Sequence, residues 1–139
     1  MLRTATRFNR VSRVASPALR RFNSSKVIEI ENLKQFQSTI GNKDKLSVVD
    51  FYATWCGPCK AVAPIFDKLA QELPEVEFAR VDVDKAEDVA HEYAILAMPT
   101  FLMFQNGEKI ESIVGANLGK IFSSIQKHSG VDLSTKNLR

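Results

Sequence analysis

The run LSVVDFYA, residues 46–53, leaves this chain few ways to fold. It is rich in β-branched and aromatic residues, which favour extended strands. Its apolar side chains occupy both odd and even positions, so a strand formed here would present an apolar surface on each of its two faces. Strands of that kind lie at the centre of sheets that helices cover on both sides. The run therefore predicts an α/β domain with a buried central strand.

Hydrophobic periodicity on either side of this run predicts the remaining helices and strands. Further strands are predicted over residues 27–30, 76–84, 100–104 and 109–115, and helices over 33–40, 62–73, 85–95 and 118–125. Asn32 is a predicted helix N-cap, Pro64 is expected to kink the second helix, and Asn106-Gly107 predicts a tight hairpin. The order β-α-β-α-β-α-β-β-α implies a mixed central β-sheet, with an antiparallel final pair and with helices flanking both faces.

The first 25 residues differ in composition from the rest of the chain. They contain six arginines and no acidic residue, and their apolar side chains would share one side of a helix, although Pro17 interrupts it. This pattern is typical of an organelle transit peptide. We predict cleavage between Phe22 and Ser25 and import into the mitochondrial matrix, with the plastid as a less favoured destination. A basic arm that binds nucleic acid or an anionic membrane surface is the alternative.

The rest of the chain is expected to form one domain. The 139 residues are 45% hydrophobic, enough for a sizeable core. Without the leader, 13 basic and 16 acidic residues remain, so the net charge changes from +3 to −3 and no nucleic-acid-binding patch is expected. No stretch approaches the roughly 18 apolar residues that a membrane span needs. We therefore predict a transit peptide over 1–25, a folded domain over 26–128 and a loose polar tail over 129–139.

The two cysteines of the chain, Cys56 and Cys59, directly follow the central strand. A bridge between them would constrain the unfolded chain very little, so stability is a poor reason for the pair. In the first turn of a helix, the Cys56 thiolate would be stabilised by the helix macrodipole, and Gly57 and Pro58 would hold the sulfurs at bridging distance. This arrangement predicts a redox switch. Zinc is the alternative, although the two histidines match no zinc-finger spacing, and a chance pair is another.

Three motifs, VVDFYATWCGPCK, AMPTF and IVGA, follow one another in the order and spacing of the thioredoxin family, which the chain resembles over residues 27–128. The resemblance implies the thioredoxin fold. Cys56 resembles the family's nucleophile, which forms a mixed disulfide with the substrate, and Cys59 resembles the resolving cysteine. Asp50 resembles a buried carboxylate whose pKa would rise towards neutrality, which suits proton transfer to and from Cys59. The alternative role for Asp50 is a buried hydrogen bond only.

The resemblance also implies a substrate-binding surface around the cysteines. Pro99 resembles the family's cis-proline, and the backbone of Met98 resembles the segment that pairs with the substrate chain. The flat apolar surface would further comprise Trp55, Gly57, Pro58, Val114, Gly115 and Ala116. Val114 could instead be a core position of the last strand. Arg80 stands where many bacterial members have a lysine, which leaves the electrostatic surroundings of Asp50 open.

The function implied by the resemblance is reduction of protein disulfides, with recharging by thioredoxin reductase. The chain itself would bind no cofactor or metal, because NADPH and FAD act through the reductase. Expected partners are the reductase and disulfide-containing proteins such as peroxiredoxins and methionine sulfoxide reductases, and the mature chain is expected to be a monomer that serves mitochondrial redox homeostasis. Gly57-Pro58 disfavours a glutaredoxin or a disulfide isomerase, which typically carry Pro-Tyr or Gly-His there. A binding module without chemistry is the alternative from another class.

Overall fold

The computed structural model describes residues 26–42 and 44–138, and its helices and strands follow the predicted order. The transit peptide predicted over residues 1–25 lies outside the described residues. Among the helices of the described part, none is long and apolar enough to cross a membrane. The elements are β1 (Ile28–Ile30), α1 (Leu33–Ile40), β2 (Leu46–Tyr52), α2 (Gly57–Glu72), β3 (Val76–Asp82), α3 (Glu87–Glu92), β4 (Thr100–Gln105), β5 (Glu108–Val114) and α4 (Leu118–Ser129).

These five strands form one mixed sheet in the order β1-β3-β2-β4-β5. β3 pairs in parallel with β1 and with β2, whereas β4 is antiparallel to both β2 and β5. β2 lies in the middle, and its residues 46–51 are all buried. The predicted α/β class and the central position of this strand are therefore confirmed.

Consecutive residues of β2 enter separate cores on the two faces of the sheet. Val48 belongs to a core that contains Phe66 of α2 and Ile121 of α4. Val49 belongs to a second core that contains Phe36 of α1 and Val89 of α3. Because neighbouring side chains of a strand point in opposite directions, an apolar residue at every position requires helices on both faces.

Two short polar signals of the sequence also have their expected structures. Asn32 Oδ1 accepts a hydrogen bond of 2.9 Å from the backbone N–H of Gln35 and so caps α1. Asn106 and Gly107 connect β4 to β5 with φ values of 55° and 81°. A two-residue hairpin turn that matches the twist of its strands needs such positive φ values, which asparagine and glycine tolerate best.

The segment after α4 differs from its prediction. α4 ends at Ser129, its C-cap Gly130 has a φ of 77°, and a 3₁₀ turn follows over Leu133–Thr135. Leu133 is buried in the core formed with α2 and α4, and Val131 and Leu138 pack against the same core. The expectation of a loose tail is therefore wrong for the described residues up to 138. The three apolar side chains stand among polar residues at intervals of two and five, which sustain neither a strand nor a helical period, so periodicity did not reveal them.

Leu133→Ala should lower the free energy of unfolding by about 2 kcal/mol, because it opens a cavity at the edge of the core. Equilibrium urea denaturation would measure the change. Leu96→Ala is the matched control, since Leu96 is 93% exposed and Leu133 only 8%, and it should change stability by less than about 0.5 kcal/mol. Equal, small effects of the two substitutions would contradict the packing of this segment.

Candidate active site

The cysteine pair occupies the turn between β2 and α2. Cys56 is the N-cap of α2, and its backbone N–H donates to the carbonyl oxygen of Ala53 at 3.1 Å. The backbone N–H of Cys59 points at the Cys56 sulfur, with 3.2 Å between nitrogen and Sγ. Pro58 fits the first turn because the N–H that it lacks would have no partner within the helix. The local sequence thus places one sulfur at the positive end of the helix macrodipole.

Cys56 and Cys59 are joined by a disulfide, and their Cα atoms are 5.3 Å apart. This Cα separation is within the range that disulfides usually span. Both cysteines are largely buried, with 6% and 4% exposure, whereas Gly57 and Pro58 between them are exposed. The pair can therefore change between dithiol and disulfide within one turn of helix.

The loop before β4 lies against the cysteines. The Met98–Pro99 peptide bond is cis, as expected for Pro99. The carbonyl oxygen of Met98 is 3.8 Å from the Cys56 sulfur. The backbone N–H of Gly115 donates to the carbonyl oxygen of Pro99 at 2.8 Å. This hydrogen bond brings the end of β5 to the same place, so the structure assembles three distant segments around the disulfide.

An exposed apolar surface adjoins this assembly. Trp55 is 67% exposed, and its Nε1 donates to Asp84 Oδ2 at 3.0 Å. Val114 is 64% exposed, which excludes a core position for it, and Ala116 beyond it is exposed too. Leu96, two residues before Met98, is another exposed apolar side chain that the sequence reasoning missed. A single leucine in an irregular segment carries no periodic signal.

Asp50 is buried in β2 and lines the same cavity as Cys59. The cavity has a volume of about 260 Å³ and is also lined by Tyr52, Lys60 and Arg80. Among the described residues, none donates a hydrogen bond to Asp50 Oδ1. Burial raises the pKa of Asp50 from 3.8 to about 7, because a charged carboxylate is poorly solvated there.

The position of Arg80 defines the electrostatic surroundings of Asp50, which the sequence left open. Arg80 lies opposite Asp50 in the β2–β3 pairing, and its positive charge lowers the pKa of Asp50 by less than burial raises it. Its Nη2 is 2.8 Å from Asp67 Oδ1 on α2, and its Cζ is 5.9 Å from the centre of the Tyr52 ring. The guanidinium is therefore shared between a carboxylate and an aromatic face.

The zinc alternative finds no ligand set in the described residues. Within residues 26–42 and 44–138, no three His, Cys, Asp or Glu side chains are placed to hold a metal ion. His91 is exposed on α3, and His128 Nε2 on α4 lies 3.2 Å from Glu111 Oε2 on β5. Both cysteines are joined to each other.

Comparisons with known proteins agree with this geometry. The sequence model of the thioredoxin family matches residues 27–127. Thioredoxin-1 of Schizosaccharomyces pombe is 47% identical over 100 residues, 72% of this chain and 96% of that protein. Mitochondrial thioredoxin-3 of Saccharomyces cerevisiae is 48% identical over 99 residues, 70% of this chain and 77% of that protein.

Solved structures are similar to most of the described fold. One solved chain comes from work on the thiol resolving mechanism in yeast mitochondrial 1-Cys peroxiredoxin via glutathione/thioredoxin systems. It is 40% identical to this chain, and the match covers 73% of this chain and 94% of that one with a TM-score of 0.68. The chain therefore belongs to the thioredoxin family of protein dithiol–disulfide oxidoreductases.

Proposed function

We propose that the chain reduces disulfides of other proteins, with Cys56 as the nucleophile and Cys59 as the resolving cysteine. The observation that carries this assignment is the position of Cys56 at the N-cap of α2, with the Cys59 N–H 3.2 Å from its sulfur. Both the hydrogen bond and the helix macrodipole favour the thiolate over the thiol. Cys59 lies inside the helix, where it can reach the Cys56 sulfur from the interior side.

The reaction consists of two thiol–disulfide exchanges. The Cys56 thiolate attacks one sulfur of the substrate disulfide, a Cys56–substrate mixed disulfide forms, and the other substrate sulfur leaves as a thiolate. The Cys59 thiolate then attacks the Cys56 sulfur, and the second substrate sulfur leaves. The substrate gains two electrons and two protons, and the chain is left with the Cys56–Cys59 disulfide.

Asp50 supports the second exchange as a proton acceptor and donor. Cys59 must lose its proton before it attacks, and Asp50 lines the same cavity with a pKa raised by burial to about 7. A group with this pKa exists in both protonation states near neutral pH, so it can take the proton and later return it. The cavity provides room for water between the two side chains.

The exposed surface around the disulfide is the proposed docking site for the substrate chain. The carbonyl oxygen of Met98 lies beside the Cys56 sulfur and can accept a hydrogen bond from an extended peptide. The apolar residues of this surface can bury part of the substrate around its disulfide. We assign to it the exposed Trp55, Gly57, Pro58, Val114 and Ala116, the partly buried Met98 and Gly115, and the buried Pro99 next to Met98.

The electron source and the cellular setting are parts of the same proposal. The oxidised chain would be recharged by a thioredoxin reductase, which supplies NADPH and FAD chemistry, so the chain itself holds no cofactor. The mitochondrial relative and the Arg-rich residues 1–25 support work in the matrix after cleavage of a transit peptide, where the mature chain would act as a monomer by our proposal. The solved chain from the yeast 1-Cys peroxiredoxin work supports peroxiredoxins as partners, and methionine sulfoxide reductases have the same need for a dithiol donor.

A protein comprising residues 26–139 should reduce insulin disulfides when NADPH and a matched thioredoxin reductase are supplied. The oxidation of NADPH would follow the reaction. Cys56→Ser should bring the rate down to the background without the protein, because no nucleophile remains. Turnover that survives in Cys56→Ser would refute the assignment. A wild-type chain whose dithiol oxidises reversibly but reduces no protein disulfide would instead indicate a binding module.

A further inference from the structure

Arg80 lies between two carboxylates but binds only one of them closely. Asp50 and Arg80 are directly opposite in the parallel β2–β3 pairing, and both line the cavity that contains Cys59. Nevertheless, no described residue donates a hydrogen bond to Asp50 Oδ1. The Nη2 atom of Arg80 is instead 2.8 Å from Asp67 Oδ1 on α2. The guanidinium thus binds the carboxylate that is not among the residues lining the Cys59 cavity.

A second contact holds the guanidinium in this place. Its Cζ atom lies 5.9 Å from the centre of the Tyr52 ring, within the range of a cation–π interaction. The Tyr52 hydroxyl donates to Glu29 Oε2 at 3.0 Å, which fixes the ring. The side chains of Arg80 and Asp67 are 20% and 35% exposed, so solvent screens their ion pair only in part.

The charges that face Asp50 come from three of the elements around it. Glu29 belongs to β1, Lys60 and Asp67 to α2, and Arg80 to β3. On the remaining side, β4 places the apolar Phe101 opposite Asp50. After burial, which raises the pKa of Asp50, the charge of Arg80 has the largest effect and lowers it, so the position of this one guanidinium influences how readily the carboxyl ionises.

We propose that Asp67 is a positioning residue for the redox reaction, because it binds Arg80 and so keeps the guanidinium from pairing with Asp50. The inference rests on the proposed role of Asp50 in proton transfer. A released guanidinium would turn towards the carboxyl that lacks a donor and would form a charge-assisted hydrogen bond with it. At neutral pH a larger fraction of Asp50 would then be ionised, so a smaller fraction could return a proton to Cys59.

A double-mutant cycle tests this inference by following the titration of Asp50 itself. The side-chain carboxyl ¹³C resonance of Asp50 in the oxidised protein would be recorded against pH for wild type, Asp67→Asn, Arg80→Met and the double variant. We expect Asp67→Asn to move the Asp50 midpoint down by about one pH unit when Arg80 is present. In the Arg80→Met background the same substitution should cause less than half of that change, because only the direct charge of Asp67 is then removed.

One control variant and two opposing outcomes complete the test. Asp44→Asn removes an exposed carboxylate just before β2 and should leave the Asp50 midpoint in place. An equal change in both backgrounds would show that Asp67 acts only through its own charge and would overturn the inference. An upward change, or none, in Asp67→Asn would overturn it as well, since Arg80 would then not have moved to Asp50.

The rate of the second exchange separates this inference from the proposed function. Release of substrate from a preformed mixed disulfide should follow the Asp50 midpoint, so its pH profile in Asp67→Asn should also move down by about one unit. A moved titration with an unmoved rate profile would support positioning by Asp67 and would overturn the proton-transfer role of Asp50 instead.

Discussion

Asp50→Ala should stabilise the oxidised protein at pH 8 by roughly 2 to 4 kcal/mol. The pKa of Asp50 is raised from 3.8 to about 7, a difference of about three units. Each unit corresponds to about 1.36 kcal/mol, so burying the ionised carboxylate costs about 4 kcal/mol. The space left by the side chain offsets part of the gain, because it enlarges a cavity that already exists.

The pH dependence of this effect has a definite sign. Below about pH 4 the carboxyl is protonated in both the folded and the unfolded chain, so no cost of burying a charge arises. Between about pH 4 and pH 7 the unfolded chain releases the proton and the folded chain keeps it, so the wild type loses stability as the pH rises. Above the folded pKa of about 7 the cost is constant. Asp50→Ala should lack this decline.

Equilibrium denaturation by guanidinium chloride at pH 4, 5.5 and 8 would measure the stability of both proteins. The stability advantage of Asp50→Ala should be smallest at pH 4 and largest at pH 8. Asp44→Ala is the control for the loss of an exposed aspartate. An advantage that is the same at all three pH values would contradict the raised pKa of Asp50. Disulfide reduction by Asp50→Ala at pH 7 should be slower by roughly tenfold, a modest loss because water in the cavity can still accept the Cys59 proton.

Cys59→Ser should abolish turnover and trap the substrate on the protein. Without a resolving thiol, the mixed disulfide between Cys56 and the substrate has no intramolecular attacker, so it should accumulate. In the wild type, the Cys59 sulfur reacts with the Cys56 sulfur at high effective concentration, because the Cα atoms of the two residues are only 5.3 Å apart. Non-reducing electrophoresis and intact-mass measurement would show a covalent complex, and a small dithiol would reduce its disulfide and release the substrate.

The matched control is Cys56→Ser under the same conditions. It should form no complex, because the remaining Cys59 is 4% exposed and lies inside α2. If Cys56→Ser traps the substrate and Cys59→Ser does not, the roles of the two cysteines are reversed. If both variants trap it equally, neither cysteine is specialised as the nucleophile.

Much of the fold could be predicted because its signals are local. Val48 and Val49 are neighbours in sequence, and their apolar character alone required a core on each face of the sheet. Asn106 and Gly107 are the residue types that a two-residue hairpin turn needs. The prediction for the segment around Leu133 failed for the opposite reason. That segment is held by contacts with α2 and α4 and carries no periodic pattern of its own.

In the candidate site, too, some features could be predicted from local sequence and others could not. The placement of Cys56 at the start of a helix followed from the strand before it and the helical spacing after it. The closeness of Met98, Pro99 and Gly115 to the cysteines rested on the family resemblance, since nothing local in residues 98–99 points to residue 56. The exposure of Leu96 and the partner of Arg80 had no signal at all.

The amino-acid sequence alone determined the order of helices and strands, the buried central strand and the redox-active pair after it. Each of these depends on residues within a few positions of one another, where backbone geometry and side-chain periodicity act. Only the tertiary structure decided that Asp50 shares a cavity with Cys59 and that Asp67 holds the arginine opposite it. Those relations depend on the register of β2 against β3 and on the packing of α2 over the sheet. Desolvation and charge act through space, so the protonation behaviour of Asp50 is a property of the assembled fold.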